Sequence, residues 1–327
     1  MKKLPFEDIK REILVKKEAE TDSEIGQDIN KRPVEELINY GVINLDKPKG
    51  PTSHQVSDYL QKILNIKKAG HSGTLDPGVT GVLAIATGRA TRVVQTLLKA
   101  GKEYIAIMHL HDEVKEKLLK KTIKNFTGKI KQKPPLKSAV KRVERYRRVY
   151  YLEILEIEGK DVLFKVGCEA GTYIRKLIHD IGQTLGVGAH MAELRRTKAG
   201  PFNEKNNLVS LQDLSDAYSF WKEENNEKFI RYCIQPIETA VQHLPKIWVF
   251  DTTVSTLCHG ADLKIPGISK LNDKIEPDQM VAILTLKDEL VAIGTSKLTS
   301  KKIIENEKGI AVLTHKVFMK SDLYKLT

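Results

Sequence analysis

Gly70-His71-Ser72-Gly73-Thr74-Leu75-Asp76-Pro77-Gly78 is the stretch on which the reading of this chain turns. Three glycines and a proline in nine residues make a loop. Glycine accepts dihedrals closed to other residues, and Pro77 biases Asp76 toward extended backbone. An acid so placed has two uses. Its carboxylate can accept amides of its own turn, a common fate of Asp-Pro-Gly, or it can stay open to a ligand that the glycines allow close. Spacing alone leaves both open.

Outward from the loop, residues 42–45 read as a strand, and Thr52-Ser53 supplies the cap of a helix carrying Val56, Tyr59, Leu60 and Ile63. Residues 69–80 read as loop, 82–86 as a short apolar strand, 90–98 as a helix and 103–110 as a strand. Residues 114–126 have helical spacing ended by Gly128. Residues 150–157 and 162–168 flank Glu158-Gly159-Lys160-Asp161, a hairpin signature. Apolar residues at 174, 177, 178, 181 and 185, between Gly171 and Gly186, predict an amphipathic helix over 172–185. A further helix runs over 210–222. After Leu244-Pro245 short β segments follow, at 247–250, 280–286 and 290–293, parted by Pro266-Gly267 and a turn at 287–289. The expected class is α+β. Residues 1–40 form a mixed-charge extension, acidic over 18–28, that ties onto another part of the protein; 41–245 form the larger domain and 246–327 a small β-rich one.

A second unusual segment is Cys168-Glu169-Ala170-Gly171-Thr172-Tyr173-Ile174-Arg175. Arg175 falls in the first helical turn, where a cation opposes the helix dipole. Such an arginine calls for an anionic partner, a carboxylate or a phosphate; solvent exposure is the bland alternative.

The 327 residues are 41% hydrophobic and 29% charged, enough apolar material for a packed core. No stretch approaches the roughly 18 apolar residues of a membrane span, and residues 1–15 lack a signal-peptide core. The expectation is a cytoplasmic protein with no membrane contact. Cys168, Cys233 and Cys258 are scattered, which argues for reduced thiols and against a zinc site. No metal is expected. There is no GxxxxGK[ST], GxGxxG after a strand, HExxH or GxSxG, so nucleotide hydrolysis, dinucleotide redox chemistry and serine hydrolysis lose their supports. His109 and His111 share a strand face and read as ordinary strand histidines.

Charge is concentrated. Residues 115–148 hold fourteen Lys or Arg against Glu116 and Glu144, a surplus equal to the +12 of the whole chain. Such a patch attracts phosphate backbones by counterion release. Within it Lys141, Arg142, Arg145, Arg147 and Arg148 interleave with Val143 and Tyr146. With Lys47 of the Asp46–Pro51 loop, Lys141, Arg142, Arg145 and Arg147 are the candidate RNA contacts; a solvated Lys-rich face is the plainer reading.

These segments resemble the TruB-type RNA pseudouridine synthases, and more narrowly their archaeal dyskerin-like branch, the catalytic subunit of H/ACA ribonucleoproteins. The resemblance covers nearly everything from residue 41 onward. It rests on the ordered motifs GVINLDKPKGPTSH (41–54), GHSGTLDP (70–77), GKEY (101–104), AGTYIR (170–175) and GAHMAELRR (188–196). It implies a catalytic domain with a bent antiparallel sheet flanked by helices over 41–245, and a PUA RNA-binding domain over 246–327, whose signature resembles GADLKIPGI (260–268). Position by position, Asp76 matches the nucleophilic aspartate, Tyr104 the aromatic that stacks on the target base, and Arg175 the arginine that pairs with the acid. His71 matches the histidine that helps displace the target nucleotide, and Leu194 the apolar residue lining the base pocket. No cofactor is implied, because the uracil stays in the site while its bond moves from N1 to C5. Departures such as Lys49, Leu83-Ala84-Ile85 and Pro277-Asp278-Gln279 leave this set untouched.

The family carries two modes. A stand-alone enzyme modifies the TΨC loop of tRNA and bears inserted elements that grip it. None follows Tyr104 here, and the 40-residue extension suits the guide-dependent branch. The implied partners are an H/ACA guide RNA, rRNA and tRNA, a small zinc-binding scaffold protein, a Gly/Arg-type accessory protein and a kink-turn-binding ribosomal-type protein. Two readings of other classes compete: a non-catalytic RNA-binding scaffold, which has no need for Asp76, Tyr104 and Arg175 together, and a glycosidase, which needs a second loop acid that is not evident.

Overall fold

The computed structural model describes residues 2–133 and 143–324. Among them the strands form a sheet of eleven and a sheet of seven, with helices packed against both. Apart from the parallel edge strand Leu208–Val209, the larger sheet is two antiparallel sets joined at a parallel seam. In the first set Gly41–Lys47 pairs with Thr80–Thr87. The other edge of Thr80–Thr87 holds Ala69–His71 at one end and Ala189–Ala199 at the other. The second set runs from Ala189–Ala199 through Lys102–Leu110, Asp161–Cys168 and Arg145–Glu158 to Gly128–Gln132. The seam itself is short: Thr80 opposite Arg195 and Gly81 opposite Arg196.

Alternation explains the first set. Ile43, Leu45, Leu83 and Ile85 pack with Val56, Leu60 and Leu64 of the Ser53–Leu64 helix, while Val42, Val82, Ala84 and Ala86 face the opposite way. Successive strand residues point to opposite faces, so a strand covered on both sides reads as an unbroken apolar run. That second face meets Trp248, Ala282, Leu284 and Phe318, so the two sheets share one apolar layer. The Ile174–Leu185 helix buries Ile174, Leu177, Ile178 and Ile181 on the second set. Its approach is close enough that a Cβ on Gly182 would lie 2.2 Å from the Ala189 nitrogen. Only glycine fits there.

The N-terminal residues are tied down along their length. Ile13–Val15 pairs antiparallel with Ile268–Asn272 in the smaller sheet, and Glu7 forms an ion pair with Lys198 of the larger one at 2.8 Å. Arg32, 2% exposed, grips Glu238 through two hydrogen bonds of 2.7 and 2.8 Å. The same carboxylate accepts the Leu290 N–H at 2.9 Å, which joins the extension, the Ile237–Val241 3-10 helix and the small sheet at one buried point.

Several elements differ from expectation. Residues 69–71 are a short strand inside the expected loop. The 90–98 segment opens as the 3-10 helix Gly88–Val93 before Val94–Lys99, and the next helix starts at Glu116. The strand expected over 150–157 begins earlier, at Arg145, and runs fourteen residues to Glu158. Ala189–Ala199 is an eleven-residue strand that periodicity did not disclose, because its exposed positions carry no regular alternation. The β-rich tail holds two helices, Asp251–Cys258 and Ser300–Glu305. Among the described residues no helix is long and apolar enough to cross a membrane.

Candidate active site

Asp76 leaves the first antiparallel set and Arg175 tops a helix of the second, and they meet at the seam. The Arg175 guanidinium donates to the Asp76 carboxylate across 99 residues of sequence. Both side chains stay more than half exposed. The acid is therefore not spent on the amides of its own turn. A charge-assisted contact of this kind fixes orientation as well as charge.

Behind the pair opens a cleft of about 640 Å³, lined by Lys49, Pro77, Val79, Ile105, Ile107, Leu163, Met191, Glu193, Leu194 and Arg195 besides Asp76 and Arg175. That volume suits a small-molecule-sized group with apolar walls and few polar ones. Leu194 is on the wall, as expected. Tyr104 is not among the lining residues; it stands next to Ile105 on the same strand, partly buried. His71 also lies off the lining, in edge contact with His54 at 4.9 Å between ring centroids. Burial, aided by His54 and Arg196, pushes the His71 imidazole below its ordinary range, so it is neutral at pH 7. Burial raises the Tyr104 phenol, against the pull of Arg196.

The Asp76 loop is held from four directions. Ser53 Oγ accepts the Leu75 N–H at 2.9 Å and donates to the Leu75 carbonyl at 3.2 Å. The Gly50 N–H donates to the Pro77 carbonyl at 2.9 Å. Capping of the helix falls to Thr52, in a capping box with Gln55, which leaves Ser53 for the loop.

Arg196 is the residue sequence reasoning missed. It is 1% exposed, donates to the Val82 carbonyl at 2.7 Å and the Gly73 carbonyl at 3.3 Å, and its charge acts on the Tyr104 phenol. It thereby links loop, seam and aromatic. Gly81, at φ +101°, permits this: a Cβ there would stand 2.2 Å from the Arg196 carbonyl oxygen. Arg195 turns the other way, forming two hydrogen bonds of 3.0 and 2.9 Å with Asp46.

Lys47 requires a correction. Read as an RNA contact, it is fully buried, and its ammonium donates to the carbonyls of Pro48, Pro77 and Val79 at 2.8, 3.2 and 2.9 Å. Burial lowers its pKa from the usual lysine value. It is the fourth clamp on the Asp76 loop, and no phosphate can reach it. Lys47→Met is expected to cost about 2 kcal/mol in denaturant unfolding, through carbonyls left unpaired, with the salt dependence of RNA binding unchanged. A slope reduced by about one ion would restore the phosphate contact.

The rest of the basic segment divides. Lys141 and Arg142 lie outside the described residues. Arg145 and Arg148 are exposed on the long strand, and Lys129 lies over the Tyr146 ring at 4.2 Å. Arg147 is only 23% exposed and turns toward Glu169, 3.8 Å away, in the loop that precedes the Arg175 helix. Arg147 thereby ties the basic strand to the loop that leads into the Arg175 helix. Among the described residues no three His, Cys, Asp or Glu side chains gather in a group fit to hold a metal ion.

An acid–guanidinium pair over an apolar cleft, in a chain that also carries an exposed basic strand and a small β module, fits the class of enzymes that act on RNA. The comparisons narrow the class. Residues 61–174 match the N-terminal domain of TruB family pseudouridylate synthases and 175–242 the C-terminal domain of tRNA pseudouridylate synthase B. Residues 2–57 match the DKCLD domain and 245–318 the PUA domain. A Pyrococcus abyssi protein named "Probable tRNA pseudouridine synthase B" is 60% identical over 318 residues, covering 97% of this chain and 95% of its own. A protein of the same name from Methanopyrus kandleri is 54% identical over 323 residues, covering 99% and 95%. Among solved structures, a Cbf5-Nop10-Gar1 complex matches at TM-score 0.95 and 59% identity, over 99% of this chain and 98% of that one. An H/ACA RNP bound to a substrate RNA containing 2′-deoxyuridine matches at 0.92 and 56%, over 99% of each. The chain belongs to the TruB family of pseudouridine synthases.

Proposed function

We propose that this chain isomerises uridine to pseudouridine in RNA selected by an H/ACA guide, with Asp76 as nucleophile and Arg175 holding it. The observation that carries this is the contact of Asp76 with Arg175 at the mouth of a cleft bordered by cations. The uridine leaves its stack and enters the cleft, an unstacking that apolar walls and an aromatic face offset. Asp76 attacks C1′ or takes a ribose proton to give a glycal, and both routes free N1. The uracil turns and rejoins through C5, whose proton then leaves. Leu194 lines the pocket; Tyr104, behind the wall beside Ile105, is assigned the stacking role and reaches the uracil only by turning toward the cleft, and neutral His71, also off the wall, assists the flip. All the atoms of the product come from the substrate, so no cofactor is consumed.

The related solved structures hold Nop10 and Gar1 beside Cbf5, and a substrate RNA with an H/ACA particle. We assign this chain the equivalent setting in the cytoplasm. Its partners would be a small zinc-binding scaffold protein, a Gly/Arg-type accessory protein and a kink-turn-binding ribosomal-type protein, with residues 246–327 as its PUA RNA-binding domain. Purified protein is expected to modify guide-matched RNA only when guide and partners are present. Equal turnover of unmodified tRNA by the chain alone would establish the stand-alone mode instead.

The exposed part of the basic strand serves RNA affinity. Arg145→Ala with Arg148→Ala is expected to lower the salt slope of RNA binding by about 1.5 while leaving the single-turnover rate of bound RNA unchanged. An unaltered slope returns that strand to a solvated face.

A further inference from the structure

Gln132, the last residue of Gly128–Gln132, is 3% exposed, and its amide meets the backbone of Tyr173 on both sides. The Tyr173 N–H donates to Gln132 Oε1 at 3.0 Å, and Gln132 Nε2 donates to the Tyr173 carbonyl at 3.1 Å. Only one orientation of the amide satisfies both contacts. Tyr173 is the extended residue, φ −92° and ψ 103°, that opens the Ile174–Leu185 helix, and it makes no side-chain cap. Arg175 is the second residue of that helix.

We propose that Gln132 is a positioning residue: its paired contacts with Tyr173 set where the helix begins, and so where the Arg175 guanidinium meets Asp76. This rests on the reading of the Asp76–Arg175 pair given above. A helix start is the part most prone to fray, because its first N–H groups lack intrahelical partners. Arg175 projects from that first turn on a long flexible stem, so a small rotation of the turn moves its tip much further. The preceding loop is held separately. Glu169 accepts from the Thr172 hydroxyl and N–H at 2.7 and 3.2 Å, and its carboxylate accepts the Arg148 N–H at 3.0 Å. Those contacts hold residues 169 and 172; Gln132 carries the restraint on to the residue that opens the helix. Displacement of a catalytic group by about 1 Å can cost 100-fold in rate.

The test is a double-mutant cycle in the assembled guide complex, with Gln132→Ala, Arg175→Ala and the double variant. Gln132→Ala is expected to lower kcat by about 10- to 100-fold, with KM within about twofold of the parent. In the Arg175→Ala background it is expected to cost nothing further. Additive losses in the double variant, or an unchanged kcat for Gln132→Ala, overturn the proposal. If Gln132→Ala does not fold, Gln132→Glu runs the same cycle, because it keeps an acceptor for the Tyr173 N–H and loses the donor. Failure of the underlying reading looks different: Arg175→Ala alone would then turn over at the parent rate.

Discussion

Asp76→Asn is expected to lose pseudouridine formation by roughly 10⁴-fold or more, while binding guide and substrate RNA as the parent does. The substitution keeps shape and removes charge. An amide cannot attack C1′ or accept a ribose proton, so neither route to N1 release begins. RNA affinity should persist, because the proposed RNA contacts lie on the basic strand and the small β module and not on the carboxylate. The side chain is more than half exposed, so the change carries little folding cost. A scaffold with no catalytic role would show unchanged behaviour in both assays. Activity on a simple glycoside would revive the glycosidase reading, and none is expected.

Arg32→Ala should produce the largest loss of stability, about 3–5 kcal/mol, because it strands the buried Glu238 carboxylate. Glu238 then keeps one partner, the Leu290 N–H, in place of three donors. The melting temperature is expected to fall by several degrees. Glu238→Gln in the same background should recover part of the loss, since a neutral amide oxygen still accepts from Leu290 and carries no charge to desolvate. Recovery separates a stranded charge from general loosening, which the second substitution would deepen. The consequence reaches function through geometry: this point joins the N-terminal extension to the Ile237–Val241 helix and the small sheet, and the apolar layer shared by the two sheets lies beside it.

The parts of the site that the sequence disclosed are those with a local signature. Glycines and Pro77 around Asp76 demand a loop, and Arg175 in a first helical turn demands an anion. Each could be read within ten residues. The residues that were misread act over distance. Lys47 sits in Asp46-Lys47-Pro48-Lys49, which reads as exposed and basic, yet three carbonyls, two of them thirty residues or more away, converge on its ammonium. Arg196 stands in Leu194-Arg195-Arg196-Thr197-Lys198, where one arginine faces Asp46 and the next is buried against Gly73, Val82 and Tyr104. Burial of a charge depends on partners from other strands, and no spacing rule within one segment reports it. Ala189–Ala199 escaped for a related reason: it joins the two antiparallel sets, and its exposed residues, His190, Ala192 and Glu193, break the hydrophobic rhythm, Ala192 and Glu193 because they line the cleft.

The most direct measurement is a structure of the Asp76→Asn chain in its guide complex with an unmodified uridine substrate. The account predicts the target nucleotide out of its stack, its uracil against Leu194 and its C1′ about 3.5 Å from the side chain at residue 76. A target ribose seated elsewhere, with the 76 side chain turned from it and Arg175 bonded to a phosphate instead, would contradict it.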